Sequence, residues 1–353
     1  MITPFLLAMA SVLAPAADGL PSSTAILKSE IPDWIHFYGN LRVRGESNKE
    51  QNAAGVNSTR TRGRLAFRAG AQFRISDDLL SEVRMTTSTG DTYDNYSTWW
   101  GVGGGGDSMD GAELSIDRLN LTWVATDTTT LKVGKFGNPF AINPVFGEWT
   151  WDCDIQPAGI LGEWRSEGVL NMDLRLGHFV EDEVFGASAA PAVTSVQLNL
   201  SGGDDLEWGF STMISDWRDN GFSSTEDFLV WDSVLSASSG GLTGSFEFIK
   251  NLDDSSGDEM GIALGFLYGT AGSQGDSRIF GSYFDFEANA FVSEIGQDDT
   301  PLPGTGEGMD GLLAGWQYWW RDNISFKIWG LQAGNDISDP MRIRFDIDIE
   351  LTR

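Results

Sequence analysis

Residues Arg60 to Ile75 read RTRGRLAFRAGAQFRI, and taking every second position separates them into two different sequences. Arg60, Arg62, Arg64, Ala66, Arg68, Gly70, Gln72 and Arg74 form one row. Thr61, Gly63, Leu65, Phe67, Ala69, Ala71, Phe73 and Ile75 form the other. A period of two sustained over this length specifies a β-strand with one wet face and one apolar face.

The same alternation recurs along the chain. Trp34–Glu46 sets His36, Tyr38, Asn40, Arg42 and Arg44 against Phe37, Gly39, Leu41 and Val43. The last stretch, Met341 to Arg353, sets Arg342, Arg344, Asp346, Asp348 and Glu350 against Ile343, Phe345, Ile347, Ile349 and Leu351. Further strands are expected over 79–87, 113–125, 129–136, 157–164, 169–180, 193–200, 206–216, 228–237, 241–250, 260–270, 279–292, 312–320 and 324–331. The segment 157–164 alternates weakly. It is included because short and long connections otherwise fall out of step between residues 137 and 168.

Short turns such as 76–78, 126–128, 202–205, 238–240 and 321–322 alternate with longer connections at 47–59, 89–111, 137–156, 181–192, 217–226, 251–258, 293–308 and 334–340. Short turns on one side and long loops on the other describe an all-β transmembrane antiparallel barrel of about sixteen strands, with short periplasmic turns, longer extracellular loops and an even strand number. A soluble sandwich would also bury apolar rows. Here, however, nearly every strand carries such a row, and no second class of strand is left to cover it. Slipping the 60–75 strand by one residue would turn its arginines to lipid, at ~2–4 kcal/mol each near the midplane.

Composition agrees. The 353 residues hold no apolar run long enough for a membrane helix. Glycine, at 43 residues, exceeds the usual ~7 per cent. A single cysteine, Cys153, rules out an internal disulfide. The net charge of −28 argues against a nucleic-acid partner. Residues 1–17, with apolar Phe5 to Leu13 and the small-residue site Ala14-Pro15-Ala16, are expected to be an export signal peptide. Residues 18–33 are expected to be a linker, and 34–353 the barrel.

The chain resembles the bacterial outer-membrane porins, and within them the putative-porin family. The resemblance rests on Tyr38-Gly39-Asn40-Leu41-Arg42-Val43-Arg44, Arg62-Gly63-Arg64-Leu65, Leu131-Lys132-Val133-Gly134-Lys135-Phe136 with Asn138-Pro139-Phe140, Trp151-Asp152-Cys153-Asp154-Ile155-Gln156-Pro157, and the closing strand. Barrels of this kind usually end in an aromatic residue, whereas this chain ends Leu351-Thr352-Arg353. The resemblance implies an outer-membrane diffusion pore for small hydrophilic solutes and ions, commonly trimeric, narrowed by an inward-folded third loop. That loop would be 137–156, with Glu148, Asp152 and Asp154 as its acidic residues.

Read from the residues themselves, Arg42, Arg44, Arg60, Arg62, Arg64, Arg68, Arg342 and Arg344 fall on the lumen rows of the first, second and last strands. The first and last strands adjoin in a closed barrel, so these arginines are expected to form one basic wall. Acidic loop residues facing it would set a transverse field that filters solutes by size and charge. Three other readings stay open. The arginine row suits an anion- or phosphate-selective channel, and Trp99, Trp100, Trp149 and Trp151 suit a sugar path. Acidic loops at Asp253-Asp254, Asp258-Glu259 and Asp298-Asp299 suit Ca2+ and a closed surface-layer or adhesion anchor. Outer-membrane lipid and lipopolysaccharide are expected around the barrel. An enzyme is not expected. It would need a nucleophile with an oriented base, and the two histidines, His36 and His178, sit within strands with no serine motif beside them.

Overall fold

The computed structural model describes residues 33–51, 57–88, 97–102, 113–140, 143–147, 149–152, 155–180, 192–218, 228–253, 257–292, 308–334 and 340–352. The expected signal segment, most of the linker, and the acidic residues Glu148, Asp154, Asp254, Asp298 and Asp299 lie outside the described residues.

The described chain is strand and connection. In order the strands are β1 (Ile35–Gln51), β2 (Asn57–Arg74), β3 (Leu79–Ser88), β4 (Ser97–Val102), β5 (Glu113–Thr126), β6 (Thr129–Lys135), β7 (Ala158–Ser166), β8 (Asn171–Val180) and β9 (Ala192–Gly202). They continue with β10 (Glu207–Arg218), β11 (Phe228–Ser239), β12 (Leu242–Asn251), β13 (Met260–Gly269), β14 (Ser277–Phe286), β15 (Met309–Arg321), β16 (Ile324–Gly334) and β17 (Met341–Thr352). Every pairing is antiparallel between neighbours, and β17 returns to β1 from Tyr38↔Thr352 to Lys49↔Met341. The sheet therefore has no terminal edge, which is how a barrel satisfies its backbone in lipid.

Seventeen strand segments fill sixteen positions around the wall. Strand β2 pairs with β3 along Arg68–Arg74 and with β4 along Thr61–Leu65. Thus β3 and β4 occupy one position, one above the other. The sequence reading missed β4 because its six residues sit inside a long Gly-rich connection. It also set β1 and β2 too short. Their pairing runs out to Gln51↔Asn57, taking up much of the expected loop 47–59. Conversely, β14 stops at Phe286, and Ala290, Phe291 and Val292 pack into the barrel interior instead of extending the strand. The weakly alternating β7 is present and pairs with β6 from Thr129↔Trp164 to Lys135↔Ala158.

The two faces follow the pleat. On β13, Leu264 and Phe266 are exposed on the outer surface while Ala263 is fully buried inside. Leu121, Val133, Ile160, Leu176 and Ile343 are exposed in the same way on other strands. Near the short turns the outer surface carries Trp123, Trp164, Trp208, Trp316 and Tyr318. The Trp123 indole N–H donates to Asp78 of the turn at 3.2 Å, and that of Trp316 donates to Ser277 at 2.8 Å. An apolar ring with its polar edge turned to the wet end is what a membrane–water interface selects. Phe345 of β17 stands apart from this belt and stacks on Phe326 with ring centroids 6.4 Å apart. The tight turn between β11 and β12 needs φ of 59° at Gly240 and 81° at Gly241, the backbone of a two-residue hairpin that glycine adopts without strain.

Candidate functional site in the barrel interior

The interior is divided between a charged wall and an apolar packed mass. The charged wall follows from register. Pairing of β1 with β17 sets Arg42 opposite Asp348, Arg44 opposite Asp346, Glu46 opposite Arg344 and Asn48 opposite Arg342. Pairing of β1 with β2 sets Glu46 opposite Arg62, Arg44 opposite Arg64, Asn48 opposite Arg60 and Asn40 opposite Arg68. Because strands alternate faces, all these residues lie on one side of the sheet, and the apolar partners Val43, Leu65 and Ile347 lie on the other.

These neighbours bond. Arg42 Nε reaches Asp348 Oδ1 at 2.5 Å and Arg44 Nε reaches Asp346 Oδ1 at 2.7 Å. Glu46, fully out of solvent, is held by Arg62, by Arg344 Nε at 2.9 Å and more loosely by Arg64 Nη1 at 3.8 Å. Arg342 Nε donates to Asn48 Oδ1 at 3.1 Å. The structure thus gathers all eight arginines of the expected wall, and it sets carboxylates among them. Eight arginines against Glu46, Asp346 and Asp348 leave a surplus of five positive charges within this group. Sequence alone did not single out Glu46, because the register that surrounds it with arginines is a property of the closed sheet.

The segment 137–156 enters the barrel between β6 and β7, which are only seven and nine residues long. Its root is tied by Phe136 N–H to Pro157 O and by Gln156, whose Oε1 accepts from Arg118 Nε at 2.8 Å. Arg118 and Asp117 both contribute to the interior because β5 bulges there, its register shifting opposite Arg84/Met85. The bulge lets Arg84 clasp Asp117 through Nη2 at 2.6 Å while Arg118 reaches Gln156. Glu82 joins them, accepting from the Tyr38 hydroxyl and from Asn120 at 2.8 Å.

Beyond the root the segment crosses to the far wall. Phe140 and Trp151 pack on Phe179, and Trp151 also meets Trp217 with ring centroids 5.4 Å apart. Trp149 sits against Phe284 at 4.9 Å and Phe286 at 5.1 Å. Phe146 bridges Trp149 and Trp329. Two hydrogen bonds complete the seat. Asn143 Nδ2 donates to Glu247 Oε2 at 2.7 Å, and Thr150 Oγ1 donates to Asp232 Oδ2 at 2.8 Å. The described residues of the segment therefore form a strut across the lumen, held at the root by Gln156 and at the far wall by Asn143 and Thr150.

Of the acidic residues expected on this segment, Asp152 is described and is buried in the strut, where its carbonyl accepts from Ile155 N–H at 3.2 Å. Trp149 and Trp151 are packed away from solvent and present no open aromatic track. Glu259, in an acidic loop considered for calcium, pairs with Lys250 at 3.3 Å. Among the described residues no group of three acidic, His or Cys side chains is placed to hold a metal. His178 lies on the outer surface with Nδ1 2.9 Å from Thr194 Oγ1.

Comparison with known proteins places this architecture. Residues 43–194 match the family model described as "Putative porin". No curated protein matches the chain in sequence. Among solved structures, the chain is similar to OprB of Pseudomonas putida in its high-pH structure, with a TM-score of 0.61 at 10% identity over 93% of this chain and 96% of that one. It is similar to a BenF-like porin from Pseudomonas fluorescens Pf-5, with a TM-score of 0.53 at 13% identity over 90% and 99%. It is also similar to OmpT of Vibrio cholerae in its trimer form, with a TM-score of 0.51 at 10% identity over 90% and 99%. The chain has the fold of the outer-membrane porins, a sixteen-position barrel with a charged interior wall, and its residues 43–194 match the putative-porin family model.

Proposed function

We propose that this protein is a passive diffusion channel of the outer membrane, admitting small hydrophilic solutes and ions between the strut and the β17–β1–β2 wall. The observation that carries the reading is the asymmetry of the interior. On the β7–β16 side, strut and wall interlock through Trp149, Trp151, Phe284 and Phe286, a buried apolar mass that offers a hydrated solute no polar contact. The remaining face carries arginines and carboxylates: Arg44, Arg344, Glu46 and Asp346 are buried against one another, while Arg42, Arg62 and Asp348 keep contact with solvent.

The surplus of arginine in the wall favours anions at the narrow passage, while the chain's net charge of −28 favours cations at the mouths. We take the wall to govern, because field lines concentrate where the passage is narrow and its walls are of low dielectric. The test is single-channel recording of the purified protein in a planar bilayer under a salt gradient. Stepwise conductance with a reversal potential on the anion side is the expected result. A folded barrel that conducts nothing would remove the channel reading, and a cation-side potential would remove the role given to the wall. A homotrimer embedded among lipopolysaccharide is the assembly proposed with it, and one OmpT neighbour is described in a trimer form.

A further inference from the structure

The strut's far seat is built from two carboxylates, an uneconomical choice that points to a function. Asp232 on β11 and Glu247 on β12 both face the interior and are 8% and 3% exposed. Their strands are paired so that Asp232 stands opposite Ile249 and Glu247 opposite Val234, which makes the two acids diagonal neighbours on one face. Each takes a hydrogen bond from the strut, one from Thr150 and one from Asn143. The second oxygen of Asp232, Oδ1, is buried and has no hydrogen-bond partner among the described residues. The interior-facing neighbours on the flanking strands are Met213 and Ser215 of β10 and Ala263 and Gly265 of β13. Among the described residues none of these is titratable or cationic.

With the strut seated, both carboxylates leave water. That costs free energy either as lost hydration or as uptake of a proton, and one hydrogen bond apiece only partly offsets it. With the strut withdrawn, the same groups would face the watery lumen and recover their hydration. The aromatic contacts of Trp149 and the seating of Val145 on Gly265, where only a glycine leaves space, act in the opposite sense. We propose that Asp232 and Glu247 are a release element: they destabilise the seated strut, so that the channel alternates between a narrow state and a transient wider one. This rests on the channel reading given above and adds to it a movable aperture controlled by two named residues.

The test uses the full chain in planar bilayers and compares wild type with D232N/E247Q and with W149A. Asn and Gln keep the acceptor that Thr150 and Asn143 use but carry no hydration penalty of this size. The double variant is expected to lower the frequency of wide-state excursions severalfold, and W149A to raise it. An unchanged or raised frequency in D232N/E247Q would overturn the proposal, because the acids would then be ordinary anchors. A second readout does not depend on conductance. In a Cys153→Ser background, V145C, half-buried against Gly265 in the seated strut, is modified faster by a water-soluble thiol reagent when the strut lifts. Its modification rate should fall severalfold on adding D232N/E247Q. A normal fall in that rate with no conductance in any variant would sink the channel reading while leaving the release element standing.

Discussion

Arg44 and Asp346 stand 302 positions apart in the chain and face each other across the seam where β17 meets β1, Nε to Oδ1 at 2.7 Å with both side chains out of solvent. The pair closes the barrel at the seam where the last strand returns to the first. It also fixes register, since a slip by one residue would set Arg44 against Ile347 or Phe345 and turn the charged row to lipid.

Asp346→Asn should therefore weaken the closed barrel more than a typical surface change would. Removing one partner of a buried pair costs roughly 3–5 kcal/mol because the other charge stays desolvated. Urea unfolding from lipid vesicles should show a loss of that order, with the heat-induced gel shift of the folded barrel moving to lower temperature. Replacing both partners, R44M with D346L, should recover most of the loss.

Glu46 tempers the wall by drawing in Arg62, Arg344 and Arg64. Glu46→Gln removes one negative charge from the centre of that group. The reversal potential under a salt gradient should move further toward the anion limit, and the shift should shrink at high ionic strength, where the Debye length falls to ~3 Å at 1 M. A shift toward the cation side would place the conducting path away from this wall.

Trp151, packed beside Phe140 of the same segment, locks the strut against Phe179 and Trp217. Trp151→Ala should destabilise the seat by about 3–5 kcal/mol, the usual cost of truncating a buried aromatic. Liposome swelling should then accept larger sugars than the wild-type channel does, while the circular dichroism of the barrel stays that of a β-protein. Swelling with an unaltered size limit would show that the strut does not set the aperture.

Leu264 lies near the middle of β13 on the outer surface. Leu264→Arg should cost ~2–4 kcal/mol, the penalty for a cation at the lipid midplane. Leu264→Phe should be nearly neutral. Folding titrations into vesicles read both directly, and an arginine tolerated like phenylalanine would mean that this face does not meet lipid.

Much of the wall is legible in the sequence. Arg60 to Arg74 could be read because a strand's period of two is local, and one residue type at each alternate position suffices to define a face. The β7 strand was recovered by parity although its alternation is weak, since two short turns cannot lie on opposite sides of an up-and-down barrel. Strand β4 was lost because six residues ahead of the Gly103–Gly106 run carry too little periodicity. The inward turn of Asp117 was lost because a bulge adds one residue and breaks the alternation at that position.

The sequence by itself determined the barrel, its strand number, its lipid-facing rows and the arginines of its inner row, all of which follow from alternation and connection length. Only the tertiary structure decided which charges meet. Glu46 is surrounded by arginines, and Asn143 and Thr150 find Glu247 and Asp232, because register and closure bring together residues tens to hundreds of positions apart. Local pattern fixes which way a side chain faces. Its partner across the lumen is set by how the whole sheet curls shut.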